Sequence, residues 1–484
     1  MNKPVLNESL ERITPQAFGA IGNGQVDDTT ALFAAAQAAS EKGLVLELDG
    51  EFLYSQTLEL ASVNVLSKNA KLVYVGETKS VPAVDMIRNV NVFGTLHIDF
   101  SDNGPGNHGG RCAMGFGHYG TGRGGYDCYV EHVVITGGQK DANGILITGD
   151  SNNLTFDRIT VPFEGSANIG RALLLHWGNA NDHRVIGQWS VENGYQHVDG
   201  WKPTKHPHNV RVGVLECYNN KEQGGFGEGA FHIAAGYDVE LDELIVDGFK
   251  HAVMITGGDI GFEYADPDVR EIKQRNLKIG KIKATNLRGG SAVTVISYAL
   301  MYPKKSVDTE LEIGEVTATA AEGSRAYGFV THCAKTLRIG KLELSGFTEK
   351  GIYVEKGNRL VEIGEATVIG SRSYALEALQ YRQTSPRPET VKVGLLTLKD
   401  CRPTEVAAFL HAKNVGTLAI GTLTAEDSDA KYVAEVTNDF ATVSIDEING
   451  ECLTCEELIH PSEALDADRC IKIGRVNAPN VKKV

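Results

Sequence analysis

The sequence is poor in methionine, tryptophan and proline, with 5 Met, 3 Trp and 14 Pro among 484 residues. It is also short of positive charge, because 47 Lys and Arg stand against 62 Asp and Glu, for a formal net charge of −15. This shortage excludes the large basic surface that nucleic-acid binding requires, and we expect no nucleic-acid partner. An acidic polymer would have to meet a local basic patch.

Cysteine is sparse as well, and its spacing excludes a disulfide framework. The eight cysteines are scattered through a long chain, which is typical of buried thiols. Cys452 and Cys455 form a lone CxxC pair without a second pair or nearby histidines, so we interpret the pair as structural and predict no metal site there. No apolar run reaches ~18 residues and the amino terminus has no apolar signal core, so we expect neither membrane insertion nor a standard signal peptide.

Glycine, in contrast, is abundant at 54 residues, and much of it falls in a repeat. The repeat reads apolar, polar, apolar, Gly, polar, apolar, as in Leu337-Arg-Ile-Gly-Lys-Leu342 and Val361-Glu-Ile-Gly-Glu-Ala366. Asp or Glu replaces the glycine in some copies. The marked positions are Gly94, Glu131, Asp157, Gly187, Gly213, Asp242, Gly280, Gly314, Gly340, Gly364, Gly394, Gly421, Asp446 and Gly474.

Most of these positions are 24 to 30 residues apart, and the alternation within each copy predicts a strand with one buried face. A second short strand follows in many copies, for example at 252–255 and 351–354. Two strands and turns per repeat are typical of one coil of a β-solenoid. The pattern therefore predicts an all-β fold, a single-stranded parallel β-helix of about 14 coils.

The amino-terminal segment is different. Residues 28–39 read Asp-Thr-Thr-Ala-Leu-Phe-Ala-Ala-Ala-Gln-Ala-Ala, which predicts a helix with Asp28 or Thr29 at its N-cap. A solenoid needs its open end covered, so we expect this helix to be a cap. We accordingly divide the chain into an N-terminal segment at 1–55, with the capping helix and first strands, and a β-helix at 56–484.

A resemblance to a known family lies in the same segment. Phe18-Gly-Ala-Ile-Gly-Asn-Gly-Gln-Val-Asp-Asp-Thr-Thr-Ala-Leu-Phe33, followed by Gly50-Glu-Phe-Leu-Tyr54, resembles the opening of pectate-lyase-superfamily β-helices, including the tailspike depolymerases of bacteriophages. The resemblance implies a right-handed β-helix that acts on polysaccharides. It also implies a homotrimer and a virion-tail or extracellular location. The motif belongs to the scaffold, so it assigns no catalytic residue.

Candidate site residues concentrate between 176 and 251, where seven of the fourteen histidines and all three tryptophans fall. Aligning the apolar runs of the second strands predicts one column of His176, Asp199 and His232 on three consecutive coils. Indole rings stack on sugars, and neighbouring coils lie only ~4.8 Å apart, so this clustering favours a carbohydrate groove. The predicted binding residues are Trp177, His197, Trp201, His206, His208, Arg211, Asp259 and Glu263.

Two mechanisms fit these residues. Elimination from a uronic acid needs a base, a neutraliser for the carboxylate and an acid, predicted as His232 or His176, Lys202 or Arg211, and Tyr195 or His197. Hydrolysis needs a carboxyl pair, for which Asp199 and Glu228 are the candidates. A local basic patch tilts the prediction toward a lyase of acidic polysaccharides, and its residues are His197, Lys202, Lys205, His206, His208 and Arg211.

Two further possibilities remain open, one for the function and one for a bound ion. A glycan-binding spike or adhesin could use the same groove without turnover. The acidic segment with Asp259, Glu263, Asp266 and Asp268 could hold calcium, although a solvated loop is the simpler interpretation and we predict no cofactor.

Overall fold

A computed structural model describes residues 3–76, 82–100, 112–117, 124–138, 142–162, 169–176, 206–219, 229–256, 273–296, 308–380, 386–437, 442–450, 453–461 and 471–478. The chain forms two compact units. Unit 1 comprises 1–246 and 260–273, and unit 2 comprises 247–259 and 274–484. The boundary that the sequence predicts at residue 55 falls within unit 1.

In the described ranges of unit 1 there is a short 3₁₀ helix at Pro15–Phe18 and one α-helix, α1, at Thr29–Lys42. Its strands are β1 Arg12–Ile13, β2 Asn23–Asp27, β3 Val45–Leu48, β4 Glu51–Tyr54, β5 Leu58–Tyr74, β6 Pro82–Asp99, β7 Cys112–Phe116, β8 Tyr126–Thr136, β9 Ala142–Thr148, β10 Asn152–Val161, β11 Ile169–His176, β12 His208–Tyr218, β13 Gly229–Ile233 and β14 Tyr237–Asp247, which ends at the unit boundary.

Unit 2 consists of strands alone within the described residues. They are β15 His251–Ile255, β16 Lys273–Leu287, β17 Ser291–Val295, β18 Asp308–Ala320, β19 Tyr327–His332, β20 Thr336–Ser345, β21 Lys350–Glu355, β22 Leu360–Ile369, β23 Leu376–Leu379, β24 Thr390–Lys399, β25 Ala408–Lys413, β26 Thr417–Glu426, β27 Ser428–Thr437, β28 Thr442–Asn449, β29 Leu453–Pro461 and β30 Ile471–Asn477.

Each unit is a parallel β-helix, because a strand pairs in parallel with the strand that comes two positions later in the sequence, such as β18 with β20. In unit 2 the longer strands from β18 to β30 form one row, and the shorter strands from β17 to β29 form another. In unit 1, β8, β10 and β12 form a long-strand row, and β7, β9, β11 and β13 form a short-strand row. The prediction of an all-β parallel β-helix with one N-terminal helix is confirmed.

The repeated glycines form a column on the long-strand row of unit 2. A Cβ atom on Gly364 would lie 2.6 Å from the carbonyl oxygen of Gly340, and Gly340 stands in the same relation to Gly314. A Cβ atom at Gly213 of unit 1 would lie 2.5 Å from the carbonyl oxygen of Asp157. A Cβ atom at these glycines would therefore crowd the preceding coil, which favours glycine at this register, although Asp157 and Asp446 occupy it in other coils.

One predicted coil does not exist. β10 pairs directly with β12, and the register sets Phe156 opposite Val212. No strand therefore stands between them, and the register position predicted at Gly187 is wrong. Gly187 itself lies outside the described residues. The error arose because the interval from Asp157 to Gly213 was long enough to be read as two coils.

Asp28 explains the amino-terminal motif. It is the N-cap residue of α1, as the sequence predicts, and only 3% of it is exposed. Its carboxylate does not bond to the first turn of the helix. Instead, Oδ1 accepts from the amide of Ile21 at 2.8 Å, and Oδ2 accepts from the amide of Gly22 at 3.0 Å. The carboxylate thus fixes the glycine-rich turn against the start of the helix.

The corners of unit 1 carry a second ladder that the repeat pattern does not mark. Asp127, Asn153 and Asn209 have φ angles of 55°, 55° and 52°, in the left-handed region that Asn and Asp adopt more easily than other non-glycine residues. The amide of Asn153 donates to Oδ1 of Asp127 at 2.7 Å. The amide of Asn209 donates to Oδ1 of Asn153 at 2.5 Å. These side chains connect successive coils at the second residue of each of these long strands.

The cysteines behave as buried thiols. All six in the described part of the chain are free, and five of them are buried, which confirms that prediction for those residues. Burial raises the pKa of Cys128 and of Cys455 to about 12, so neither is a thiolate at neutral pH. Across the described ranges, no helix is long and apolar enough to cross a membrane.

Candidate functional site

Most of the predicted site lies outside the described residues, and its roles there stay predictions. The catalytic candidates outside the described residues are Tyr195, Asp199, Lys202 and Glu228. The binding candidates are Trp177, His197, Trp201, Asp259 and Glu263, together with the acidic residues Asp266 and Asp268. The described candidates are His176, His206, His208, Arg211 and His232.

His176 and His232 lie on neighbouring strands but in different columns. β11 pairs directly with β13, and the register sets Leu174 opposite His232. His176 lies opposite Thr148 of β9. The direct pairing leaves no place for a strand with Asp199 between the two histidines, so the predicted three-residue column is wrong. Strand spacing and an offset of two residues put the two histidine Cα atoms about 8 Å apart.

Arg171 is the polar neighbour of His232. Its Nε donates to Nδ1 of His232 at 3.1 Å, and its Nη1 lies 3.5 Å from Oδ1 of Asn143 on β9. A guanidinium only donates hydrogen bonds, so Nδ1 must accept and the proton of the neutral ring must be on Nε2. This geometry favours a hydrogen-bond-donating role for His232 over the predicted role as base.

Arg171 is absent from the predicted set, although the sequence contains a signal for it. It is the one Arg or Lys in the strand Ile169-Gly-Arg-Ala-Leu-Leu-Leu-His176, whose other members are apolar apart from the final histidine. A cation in an apolar strand needs a polar partner on a neighbouring strand. Here that partner is His232.

The predicted binding residues on β12 belong to the other row. Arg211 is half exposed, and its Nε and Nη2 lie 3.8 Å from Oε2 of Glu240 and 4.0 Å from Oδ2 of Asp242. β12 pairs with β10, not with β11 or β13. The prediction that Arg211 neutralises a carboxylate beside His232 is therefore not supported, because the two residues lie in different strand rows.

His208, at the start of β12, is fixed by its neighbours. Its ring stacks on Tyr237 with centroids 4.8 Å apart, and its Nδ1 lies 3.1 Å from the carbonyl oxygen of His206. His206 is buried, with 8% of its surface exposed. The orientation of the His208 ring is explained by its packing on Tyr237, and the predicted role of both histidines in binding stays a prediction.

A second cluster of ionisable and aromatic side chains lies on the short-strand row of unit 2. We name it the tyrosine–glutamate surface and define it by Tyr327, Lys350, Tyr353, Tyr374, Glu377 and His411. The register sets Tyr353 of β21 opposite Glu377 of β23, and Glu377 opposite His411 of β25. The inward neighbours Ile352 and Val354 are completely buried, so these polar side chains point away from the core.

Glu377 is the centre of this surface. Its Oε1 lies 2.7 Å from Nδ1 of His411, and its Oε2 contacts Nζ of Lys350. Only 5% of the side chain is exposed. Burial alone would raise the pKa of this carboxyl, but the bonds from His411 and Lys350 outweigh it and hold the pKa below its usual range. Glu377 is therefore ionised at neutral pH.

Glu355 repeats this arrangement one strand away. Its Oε2 lies 3.0 Å from Nε2 of His332, and its Oε1 lies 3.3 Å from Nζ of Lys356. Burial raises its pKa, while His332 and Lys356 lower it by more, so the net pKa is again below the usual range. The hydroxyl of Tyr353 bonds to the same carboxylate.

The tyrosines are arranged around these carboxylates. Tyr327 and Tyr353 stack with centroids 5.9 Å apart, and Nζ of Lys350 lies 4.1 Å from the centroid of Tyr353. Tyr374 stacks on His411 at 4.8 Å and donates from its hydroxyl to Oε2 of Glu435 at 2.9 Å. Burial and the nearby carboxylates raise the pKa of Tyr353 and of Tyr374, so both hydroxyls keep their protons.

A metal centre finds no support in the part of the chain that the structure describes. No group of three or more His, Cys, Asp or Glu side chains there is arranged to hold a metal ion. The candidate calcium ligands predicted between 259 and 268 lie outside the described residues.

No family model matches the chain, and no curated protein matches it. Among solved structures, it is similar to PfbA, a surface adhesin of Streptococcus pneumoniae, at 12% identity and a TM-score of 0.44, over 93% of this chain and 91% of that chain. It is similar to a family 28 exopolygalacturonase of Yersinia enterocolitica at 9% identity and a TM-score of 0.34, over 98% of this chain and 79% of that chain. It is similar to the pre-mature gene product 12 of bacteriophage phi29 at 10% identity and a TM-score of 0.27, over 96% of this chain and 73% of that chain. These likenesses are too distant to carry an argument about function.

Proposed function

We propose that this chain cleaves a uronic-acid-containing polysaccharide by β-elimination, on the short-strand row of unit 1. The observation that carries the proposal is the contact between Arg171 and His232 on neighbouring strands. A fixed cation beside a hydrogen-bond-donating imidazole is suited to a carboxylate and to the negative charge that develops next to it. The resemblance of the amino-terminal motif to polysaccharide-cleaving β-helices supports the same substrate class.

Arg171 takes the role of carboxylate neutraliser in this proposal. The elimination removes the proton on the carbon next to the uronate carboxylate, and its electrons form a carbon–carbon double bond as the glycosidic oxygen leaves. Charge builds on the carboxylate during this step, and a guanidinium pairs with a carboxylate through two parallel hydrogen bonds. The Nε2–H of His232 adds a further donor to the same charge.

The remaining roles are proposed for the other predicted residues. His176 is the candidate base, since its side chain lies on the strand next to His232. Tyr195 or His197 is the candidate acid that protonates the leaving oxygen. Hydrolysis by Asp199 and Glu228, and glycan binding without cleavage, are the alternatives that the experiment must separate. A homotrimer and a virion-tail or extracellular location accompany the proposal by resemblance alone.

The experiment incubates the protein with a panel of uronic-acid-containing bacterial and plant polysaccharides. Elimination produces an unsaturated uronyl end that absorbs in the ultraviolet, whereas hydrolysis produces new reducing ends without that absorbance. Wild type, Arg171→Ala and Arg171→Lys are compared. Arg158→Ala is the matched control, because Arg158 lies on the long-strand row and pairs with Glu216. Cleavage that persists unchanged in Arg171→Ala would place the chemistry elsewhere.

A further inference from the structure

The short-strand row of unit 2 carries a polar surface that the proposed cleavage does not use. We propose that the tyrosine–glutamate surface is a second carbohydrate site, which binds an uncharged, hydroxyl-rich chain without cleaving it. The proposal rests on residues of unit 2 alone and does not depend on elimination in unit 1.

The extent of the surface suits a polymer. Its side chains come from consecutive short strands, β19, β21, β23 and β25, and Glu435 of β27 extends it by one strand. At ~4.8 Å per strand, five strands span on the order of 20 Å. A chain of several sugar units lying across the strands could contact each coil in turn.

The aromatic rings provide the apolar contacts that a sugar requires. Tyr327, Tyr353 and Tyr374 are each partly exposed, although each ring also contacts a neighbouring side chain. The apolar faces of sugar rings stack on aromatic rings, and tyrosine adds a hydroxyl for hydrogen bonding. These rings are also held in place by their stacking partners, so little conformational entropy is lost on binding.

One carboxylate provides the acceptor. Glu435 is partly exposed, and the hydroxyl of Tyr374 occupies only part of the about four lone-pair positions of its carboxylate. Glu377 and Glu355 are almost fully buried, with 5% and 6% of their side chains exposed, so they hold the surrounding side chains in place. Hydroxyl groups of a sugar are donors of the right kind for the remaining positions on Glu435.

The charge balance favours an uncharged chain over an acidic one. Glu355, Glu377 and Glu435 contribute −3, Lys350 and Lys356 contribute +2, and the net charge with neutral histidines is −1. Both lysine ammonium groups already contact a carboxylate. A uronate would meet a surface of net charge −1 whose two ammonium groups are already paired, so like-charge repulsion disfavours it.

The protonation states argue against cleavage at this surface. Hydrolysis needs a carboxylic acid with a raised pKa, but both buried glutamates have lowered values and are ionised. Elimination needs a carboxylate on the sugar to acidify the neighbouring carbon–hydrogen bond, and an uncharged chain has none. Both arguments favour binding without turnover at this surface.

A purely structural ladder of ion pairs is the competing explanation. Buried ion pairs add little net stability compared with apolar residues of the same size. A ladder would also not require three partly exposed tyrosines in the same place. The experiment must therefore measure binding and stability separately.

The test is affinity electrophoresis of the full chain in gels that contain hydroxyethyl cellulose, galactomannan or dextran, with polygalacturonate and alginate as acidic polymers. We expect at least one neutral polymer to retard the wild type, and Tyr327→Ala and Tyr374→Ala to weaken that retardation at least about tenfold. Tyr374→Phe, which keeps the ring, should retain most of the binding. Tyr126→Ala is the matched control, because Tyr126 of unit 1 is equally part-exposed and should leave retardation unchanged.

Thermal unfolding of each variant separates lost binding from lost folding. A tyrosine variant that melts like the wild type but binds weakly supports the proposal. Retardation by none of the neutral polymers, or retardation that is unchanged in both tyrosine variants, overturns it. If an acidic polymer retards the wild type more than the neutral polymers do, and if that retardation weakens in the tyrosine variants, the assignment of an uncharged chain is overturned.

Discussion

The guanidinium of Arg171 donates a hydrogen bond to Nδ1 of His232, 3.1 Å away on the neighbouring short strand of unit 1. This contact leaves the ring proton on Nε2 and sets the imidazole orientation. It places a positive charge and a hydrogen-bond donor side by side. Elimination from a uronic acid needs both next to the carboxylate of the substrate. The first prediction follows from it.

Removing Arg171 should abolish most of the cleavage. Losing one preorganised donor to a developing negative charge typically reduces kcat about 100-fold or more. We expect Arg171→Ala to lower kcat/KM on the best uronate polymer by at least that factor. Arg171→Lys should recover only part of the loss, because an ammonium group cannot bond to His232 and a carboxylate with the same planar geometry. Initial rates of ultraviolet absorbance measure both, and equal rates in Arg171→Ala and wild type would contradict the prediction.

The stacked glycines of unit 2 should tolerate substitution poorly. Gly364→Ala would set a Cβ atom 2.6 Å from the carbonyl oxygen of Gly340, and neither backbone can move without shifting the coil. We expect a loss of about 1–3 kcal/mol in the free energy of unfolding. Glu365→Ala, at the next and exposed position, should change it by less than about 0.5 kcal/mol. Denaturant unfolding of both variants makes the comparison, and equal stabilities would count against a packed column.

The carboxylate of Asp28 should stabilise the amino-terminal cap by more than its N-cap position alone suggests. Its carboxylate accepts from the amides of Ile21 and Gly22 in a buried site, and charged hydrogen bonds of this kind contribute about 1.5–3 kcal/mol. Asp28→Ala should lower the free energy of unfolding by at least that amount. Glu41→Ala, near the end of the same helix and exposed, is the control. A loss no larger than that of the control would show that the carboxylate does not fix the turn.

His251 should make the stability of unit 2 depend on pH. Burial lowers the pKa of this histidine to about 3, and its Nδ1 lies 3.1 Å from Oγ of Ser291 and 3.0 Å from Oγ1 of Thr294. The unfolded chain binds a proton at about pH 6.5, so between pH 6.5 and 3 it binds one that the folded chain excludes. Stability should therefore fall as the pH falls through this range.

The matching variant is His251→Asn, which keeps a polar side chain without a titrating group. Its free energy of unfolding should have a smaller slope against pH between 6.5 and 4, by up to about 1.4 kcal/mol per pH unit. Denaturant unfolding at several pH values measures the slope. Parallel slopes in the variant and the wild type would exclude His251 as the source.

The scaffold could be predicted from the sequence because it depends on local and repeated rules. Alternating apolar residues marked the long strands, and the glycine register marked the close approach of successive coils. The helix at 29–42 followed from its N-cap and its alanines. These features are dictated by neighbours within one repeat, which a single sequence displays.

The site could not be predicted as well, because its columns depend on the register between repeats. One extra coil, counted at Gly187, put Asp199 between His176 and His232, and the apolar runs of the two strands were aligned two residues out of register. Closeness in sequence also grouped Arg211 with these histidines, although β12 lies in the other row. Arg171, the residue that contacts His232, was hidden in an apparently apolar strand.

The tyrosine–glutamate surface was missed for a related reason. Tyr353, Glu377 and His411 lie on three different short strands, and they become neighbours only through the register of β21, β23 and β25. A pattern search within one repeat cannot collect the residues of such a surface.

The central claim is elimination on a uronate polymer, and the ultraviolet absorbance of its products tests it most directly. Wild-type protein incubated with the polysaccharide panel should generate an unsaturated uronyl product from at least one acidic polymer, and Arg171→Ala should generate almost none. New reducing ends without absorbance would show hydrolysis instead. Intact polymer across the whole panel, by absorbance and by reducing ends, would contradict cleavage altogether.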